Sequence, residues 1–216
     1  MSGIAPDTFE YLLEPGGSLE APEAVMTFSR EGFSGVSRNM HRFVREHIVR
    51  GKWKKKERPV LLNSWEAFYF DFDEDRLLGL ARAGKDAGIE LFVLDDGWFD
   101  GRNDDTRALG DWTPDRKKLP EGVDGLCRKV RALGLDFGIW AEPESVNRDS
   151  RLYREHPEWS MEIPGKPHSE GRTQRLLDFA NPEAAAYMTR KMAELLSSAD
   201  ISYLKYDVNR IFSDAY

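Results

Sequence analysis

The chain has 216 residues, 40% of them hydrophobic and 32% charged, with a formal net charge of -7. The acidic balance argues against a nucleic acid partner, and no apolar run approaches the roughly 20 residues that cross a bilayer. With a single cysteine an internal disulfide is excluded, and the opening Met1-Ser-Gly-Ile-Ala-Pro6 lacks a signal-peptide pattern, so a cytoplasmic protein is expected.

Residues 1–57 read as the end of an upstream β-sandwich domain plus a linker helix. Tyr11 to Leu19 and Ala24 to Phe28 look like short strands around a Pro-Gly-Gly turn. Ser37 then opens a helix in which Met40, Phe43, Val44 and His47 share a face. Lys52 to Lys56 form the one basic cluster, which reads as a solvated linker.

From residue 58 the pattern changes to strand, helix, strand, helix. Pro59 to Glu66, Ile89 to Phe99, Leu135 to Glu144 and Tyr203 to Arg210 each run from β-rich residues into polar chemistry. Helices are predicted over Asp73 to Ala87, stopped by Gly88, and over Leu126 to Leu133, stopped by Gly134. Cys127 falls inside the second pattern and reads as a small buried hydrophobe. Asn181-Pro182 supplies an N-cap and a first-turn proline for a third helix that runs to Ser197.

This alternation argues for parallel pairing with right-handed crossovers. An open doubly wound sheet gathers its ligand contacts at one switch point, whereas a (β/α)8 barrel draws them from the carboxyl ends of several strands. All four strand ends are loaded here, and no Gly-rich phosphate loop follows the first. The fold class expected is therefore α/β of the (β/α)8 TIM-barrel type. A complete barrel takes roughly 250 residues, so residues 58–216 are expected to supply only the first four βα units of a truncated catalytic domain. An open half-barrel exposes sheet edges, and self-association or a complementing chain is expected to follow.

On the last strand, Lys205, Asp207 and Asn209 alternate with apolar residues, which places a cation, a carboxylate and an amide on one face. A salt-bridged strand end is the bland account of that trio. Asp95-Asp96 precede Gly97, so either could cap a turn, or a bend could aim both outward. Trp65, Trp98 and Trp140 near strand ends offer stacking surfaces or core packing alike. Glu142 and Glu144 flank Pro143 and suit either ligand binding or loop anchoring. No histidines pair at metal-ligand spacing.

Asn63-Ser-Trp-Glu-Ala, Leu94-Asp-Asp-Gly-Trp-Phe99, Gly138-Ile-Trp-Ala-Glu-Pro-Glu144, Gly171-Arg-Thr-Gln-Arg-Leu-Leu-Asp178 and Leu204-Lys-Tyr-Asp-Val-Asn-Arg210 occur in one order along the chain. In that order they resemble glycoside hydrolase family 36, the microbial α-galactosidases. The resemblance implies a retaining mechanism on terminal α-galactosides of the melibiose and raffinose class, with no cofactor and no metal. It implies Asp207 as nucleophile, Lys205 and Asn209 as its substrate-binding neighbours, and Asp95 and Asp96 as the pair on the galactose hydroxyls. Trp65, Trp140 and Arg172 would complete the pocket. The family's acid/base follows a Cys-x-x-Gly-Gly-Gly-Arg motif that this sequence does not contain.

Retaining glycosidases need two carboxyl groups about 5 Å apart, one of them ionised to attack the anomeric carbon. Asp207 suits that role because Lys205 favours its charged form. Two other readings stand beside this one: a divalent-metal barrel in which Asp96, Glu142 and Asp207 hold Mg²⁺, and a fragment that binds galactosides or assembles without cleaving them.

Overall fold

A computed structural model describes residues 10–210, 213 and 214. The chain divides into two compact units, one up to Arg58 and one from Pro59.

In the first unit the Pro-Gly-Gly turn forms, with the Gly17 N–H donating to Glu14 O at 2.8 Å. The flanking segments do not become strands, contrary to expectation. A strand exists only within a ladder, and β-rich composition cannot substitute for a partner. Helix α1 spans Gly32–Phe43, beginning five residues before Ser37. Its early start has a local cause: Ser29 Oγ accepts the Glu31 N–H at 3.0 Å, and Asn39 reaches back to Thr27 Oγ1 and the Phe28 carbonyl. A π-turn over Val44–Ile48 and a 3-10 turn over Gly51–Lys54 follow. The basic cluster gathers on one indole, with Lys52, Lys56 and Arg58 at 4.9, 5.5 and 5.2 Å from the Trp53 ring centroid.

The second unit is built on parallel strands β1 (Leu61–Asn63), β2 (Leu91–Leu94) and β3 (Asp136–Ala141). Strands β4 (Ser145–Asn147) and β5 (Gln174–Leu176) pair antiparallel as a separate ribbon, and β6 (Tyr203–Tyr206) returns to the main sheet. The four-stranded sheet has the order β1-β2-β3-β6, every neighbour parallel. Consecutive strands are added on one side only. A doubly wound sheet reverses direction at its switch point, so this order is that of an arc of a (β/α) barrel.

Between the strands lie α2 (Trp65–Phe68) and α3 (Glu74–Asp86) after β1, α4 (Gly122–Ala132) after β2, then α5 (Arg151–Glu155) and α6 (Pro182–Ser197). Asp73 caps α3 by accepting the Arg76 N–H at 2.8 Å, and Asn181 caps α6 by accepting the Glu183 N–H at 2.9 Å. Helix α4 starts four residues before Leu126, because Val123 already belongs to its buried face. Helices α3 and α4 turn Leu77, Leu78, Ala81, Leu126, Cys127 and Val130 into the core against Phe92, Leu94, Phe137 and Ile139. Strand β2 is buried along its whole length, as a central parallel strand covered on both faces must be.

Beyond the carboxyl ends of β2 and β3 the core continues as an aromatic layer of Trp98, Phe99, Trp112 and Trp140. Trp98 is fully buried and meets Phe99 edge-on at 5.1 Å between centroids, so it packs the core and offers no stacking surface. Lys118 ties together the loops that flank this layer. Its ammonium donates to the carbonyls of Phe70, Gly97 and Arg102 at 3.0, 2.8 and 3.2 Å, and burial lowers its pKa.

Candidate active site

The polar groups collect where the parallel strands end. Asp95 and Asp96 follow β2, Glu142 follows β3, and Asp207 follows β6. The Asp207 N–H donates to Ala141 O at 3.0 Å, one last ladder step beyond the strand. Strand alternation therefore still holds at Asp207, and Lys205 Nζ lies 3.5 Å from its Oδ2. The same ammonium sits 2.9 Å from Asp95 Oδ2, so one lysine joins the carboxylates of two strands.

Trp140 contributes through its nitrogen. Its Nε1–H donates to Asp207 Oδ2 at 3.1 Å, while its carbonyl accepts the Trp98 Nε1–H at 3.0 Å. Burial works against the charged form of Asp207. The hydrogen bond from Trp140, the nearby Asn209 amide and the charge of Lys205 outweigh it and hold the carboxyl below its ordinary range. Lys205 is likewise driven down by burial and, on balance, up by Asp95 and Asp207. An ionised, half-buried carboxylate fixed by directed donors is the state that a nucleophile requires.

Asp95 and Asp96 diverge, as neighbours on extended backbone do. Asp95 accepts from Asn63 Nδ2 and Lys205, and its N–H donates to Ser64 Oγ at 3.0 Å. Asp96 turns the other way onto Arg102, whose Nε and Nη2 reach its oxygens at 3.0, 3.2 and 2.8 Å. Burial pushes the Asp96 carboxyl up, opposed by Arg102. The bend that follows them depends on Gly97 at φ +98, where a Cβ would meet the Phe70 and Phe72 rings at 3.1 Å.

Asn209 lies beyond the ladder, yet its amide still acts on Asp207. Its Nδ2 donates to Glu142 Oε2 at 2.9 Å. Arg172 is set apart from Asp207: its guanidinium faces Asp105 at 3.5 Å, and its carbonyl accepts from Asn147. Both Arg172 and Thr173 hold positive φ, +53 and +57, in a strained loop. Trp65 is half-buried, edge-on to Tyr69 and Phe70, and its N–H donates to Asn63 Oδ1 at 2.7 Å. Glu144 lies beside the Tyr206 phenol, and burial raises its pKa to about 7.

The three carboxylates of the divalent-metal reading thus serve different partners: Arg102 for Asp96, Asn209 for Glu142, and Lys205 with Trp140 for Asp207. Among the described residues no three His, Cys, Asp or Glu side chains are grouped so as to hold a metal ion. That reading is withdrawn on the placement of its donors.

Residue patterns alone miss Asn63, Arg102 and Asn147. Asn147 Oδ1 accepts from Arg102 Nη1 at 2.9 Å and from the Leu109 N–H at 3.1 Å, fixing the guanidinium that fixes Asp96. The signal available for Asn63 was its place at a strand end beside Trp65; Arg102 and Asn147 carried none.

Replacing Lys205 by Met removes a cation that offsets the burial of Asp207, so the carboxyl pKa is expected to rise. Any reaction that uses the Asp207 carboxylate should then lose rate most at low pH and recover as pH climbs. A pH profile of Asp207 modification checks this, and an unmoved acid limb counts against Lys205 as the controlling charge.

A barrel-type sheet whose strand ends converge on an ionised aspartate, a lysine and an indole defines the class: a (β/α)-barrel carboxylate site. Residues 18–216 match the Melibiase family, and the chain belongs to it. AgaA, an α-galactosidase of Geobacillus stearothermophilus, is 48% identical over 208 residues, which cover 96% of this chain and 28% of that protein. Its crystal structure superposes with a TM-score of 0.94 over 98% of this chain and 30% of its own. The α-galactosidase of Lactobacillus brevis gives a TM-score of 0.93 at 42% identity, covering 99% of this chain and 29% of that one. The chain therefore spans less than a third of the length of the relatives it matches. Variants of AgaA have been crystallised with raffinose and with stachyose.

Proposed function

We propose that the chain carries the nucleophile half of a retaining α-galactosidase site for terminal α-galactosides of the raffinose class. The observation that carries this reading is the Asp207 carboxylate, held ionised between the Trp140 Nε1–H and Lys205, with Lys205 tied across to Asp95. In this reading Asp207 attacks the anomeric carbon, Asp95 accepts a galactose hydroxyl, Asp96 accepts one only with the capacity that Arg102 leaves it, and Trp65 lines the ring, while the buried Trp140 serves through its Nε1–H on Asp207. Asn209 and Arg172 stand at the margin, each reaching the sugar only by leaving its present partner. The family kinship and the oligosaccharide complexes of AgaA variants support the substrate class.

The proton donor of the second carboxyl role is proposed to lie outside this sequence, with the missing donor motif. Sheet order supports completion by further barrel strands, since β1 and β6 each pair on one side only. A soluble cytoplasmic protein fits the same reading, and no described helix is long and apolar enough to cross a membrane.

The test is trapping. A fluorosugar of galactose configuration with an activated leaving group needs no protonation: Asp207 forms the C1–O bond as the leaving group departs with the bonding electrons. Peptide mass mapping should place the glycosyl adduct on Asp207. An adduct elsewhere removes Asp207 from its role, and no adduct removes the glycosidase reading.

A further inference from the structure

Beyond Asp207 the sheet stops, yet the chain keeps a direction. The Asp207 N–H makes the last ladder bond, to Ala141 O, and the next backbone donor from this segment to reach the β3 side goes to a side chain. Glu142 Oε1 accepts the Asn209 backbone N–H at 3.3 Å, and Oε2 accepts Asn209 Nδ2–H at 2.9 Å. One carboxylate thereby takes over from the ladder two residues past the nucleophile. Glu142 is 1% exposed. A buried carboxylate is costly unless each oxygen finds a donor, and here a single asparagine serves both oxygens.

The arrangement is more specific than a strand end needs. The Asn209 amide carries two hydrogens: one goes to Glu142, and the amide stands near enough to Asp207 to favour its charged form. With Glu142 fixing the donor side of the amide, Asn209 cannot rotate its oxygen toward Asp207. An asparagine with no such acceptor could present either end, and its oxygen would repel the carboxylate. Glu142 itself follows β3 directly after Trp140 and Ala141, the residues that already touch Asp207 by indole and by ladder.

From this geometry we infer that Glu142 is a positioning residue for Asp207: it clamps Asn209 so that the amide N–H, and not the amide oxygen, faces the nucleophile. The inference rests on the glycosidase reading for its functional consequence, while the clamp itself can be read without any sugar.

Glu142→Gln keeps the volume but replaces one acceptor by a second donor, which must confront the donors of Asn209. Hydrogen exchange followed by NMR on the 216-residue chain should show the Asn209 amide hydrogens exchanging roughly tenfold faster in this variant. Fluorosugar trapping at Asp207 should slow roughly 10- to 100-fold at saturating reagent, with half-saturation little changed, because a displaced nucleophile costs reaction and not binding. Asn209→Ala should show a similar loss, and the double variant no further loss, since the two residues act as one unit.

Unchanged exchange at Asn209, or trapping losses that add in the double variant, overturns the clamp. Equal trapping in Glu142→Gln and the parent overturns its role toward Asp207. A parent chain that takes no adduct at Asp207 removes instead the glycosidase reading, and the rate of amide exchange at Asn209 then decides for or against the clamp by itself.

Discussion

Asp207→Asn should abolish fluorosugar trapping, with the rate of adduct formation falling on the order of 10³-fold or more, because an amide oxygen lacks the charge needed to displace the leaving group. The variant should nevertheless fold. An asparagine oxygen still accepts the Trp140 Nε1–H, and Lys205 keeps Asp95 as its second partner. Far-UV circular dichroism and a thermal melt close to the parent's would separate loss of chemistry from loss of structure. Trapping that persists in Asp207→Asn would transfer the nucleophile to another carboxylate, with Glu142 and Asp95 as the groups to map next.

Arg102→Met should be the most destabilising single change near the site, by about 3–5 kcal/mol at neutral pH. Arg102 is 1% exposed and makes three hydrogen bonds to Asp96, one to the Arg107 carbonyl and one to Asn147. Truncating it leaves a charged aspartate in the core beside two deserted acceptors. The deficit should depend on pH with a defined sign. Burial already raises the folded pKa of Asp96, and without its arginine that carboxyl is protonated more readily still. A neutral Asp96 costs little to bury, so the deficit is smallest below the unfolded aspartate pKa and grows as pH rises toward the folded one. Urea denaturation at acid and neutral pH checks the trend. A deficit equal at both would mean that packing, and not the stranded charge, sets the cost.

Much of the architecture could be read from residue order because its determinants are local. The Asn181-Pro182 pair and Asp73 cap their helices as their side-chain chemistry dictates, and period-two alternation carries Lys205 to Asp207. Where the determinant was a partner distant in sequence, the reading failed. Tyr11 to Leu19 and Ala24 to Phe28 have strand-forming composition but no ladder. Trp98 could be read as stacking surface or core alike, and the layer that decides for core includes the distant Trp112 and Trp140. Arg102 sits in a run of polar loop residues whose pattern gives no hint that the loop folds back on Asp96. Arg172, matched by family motif, faces Asp105.

The indole that donates to Asp207 is itself anchored, through its carbonyl, by the fully buried indole of Trp98. The oxygen proposed to react is thus surveyed from the interior of the protein outward, as a theodolite is levelled on bedrock and not on topsoil. Substitutions far below the sheet mouth would then register as blunted chemistry while the melting curve still looks sound.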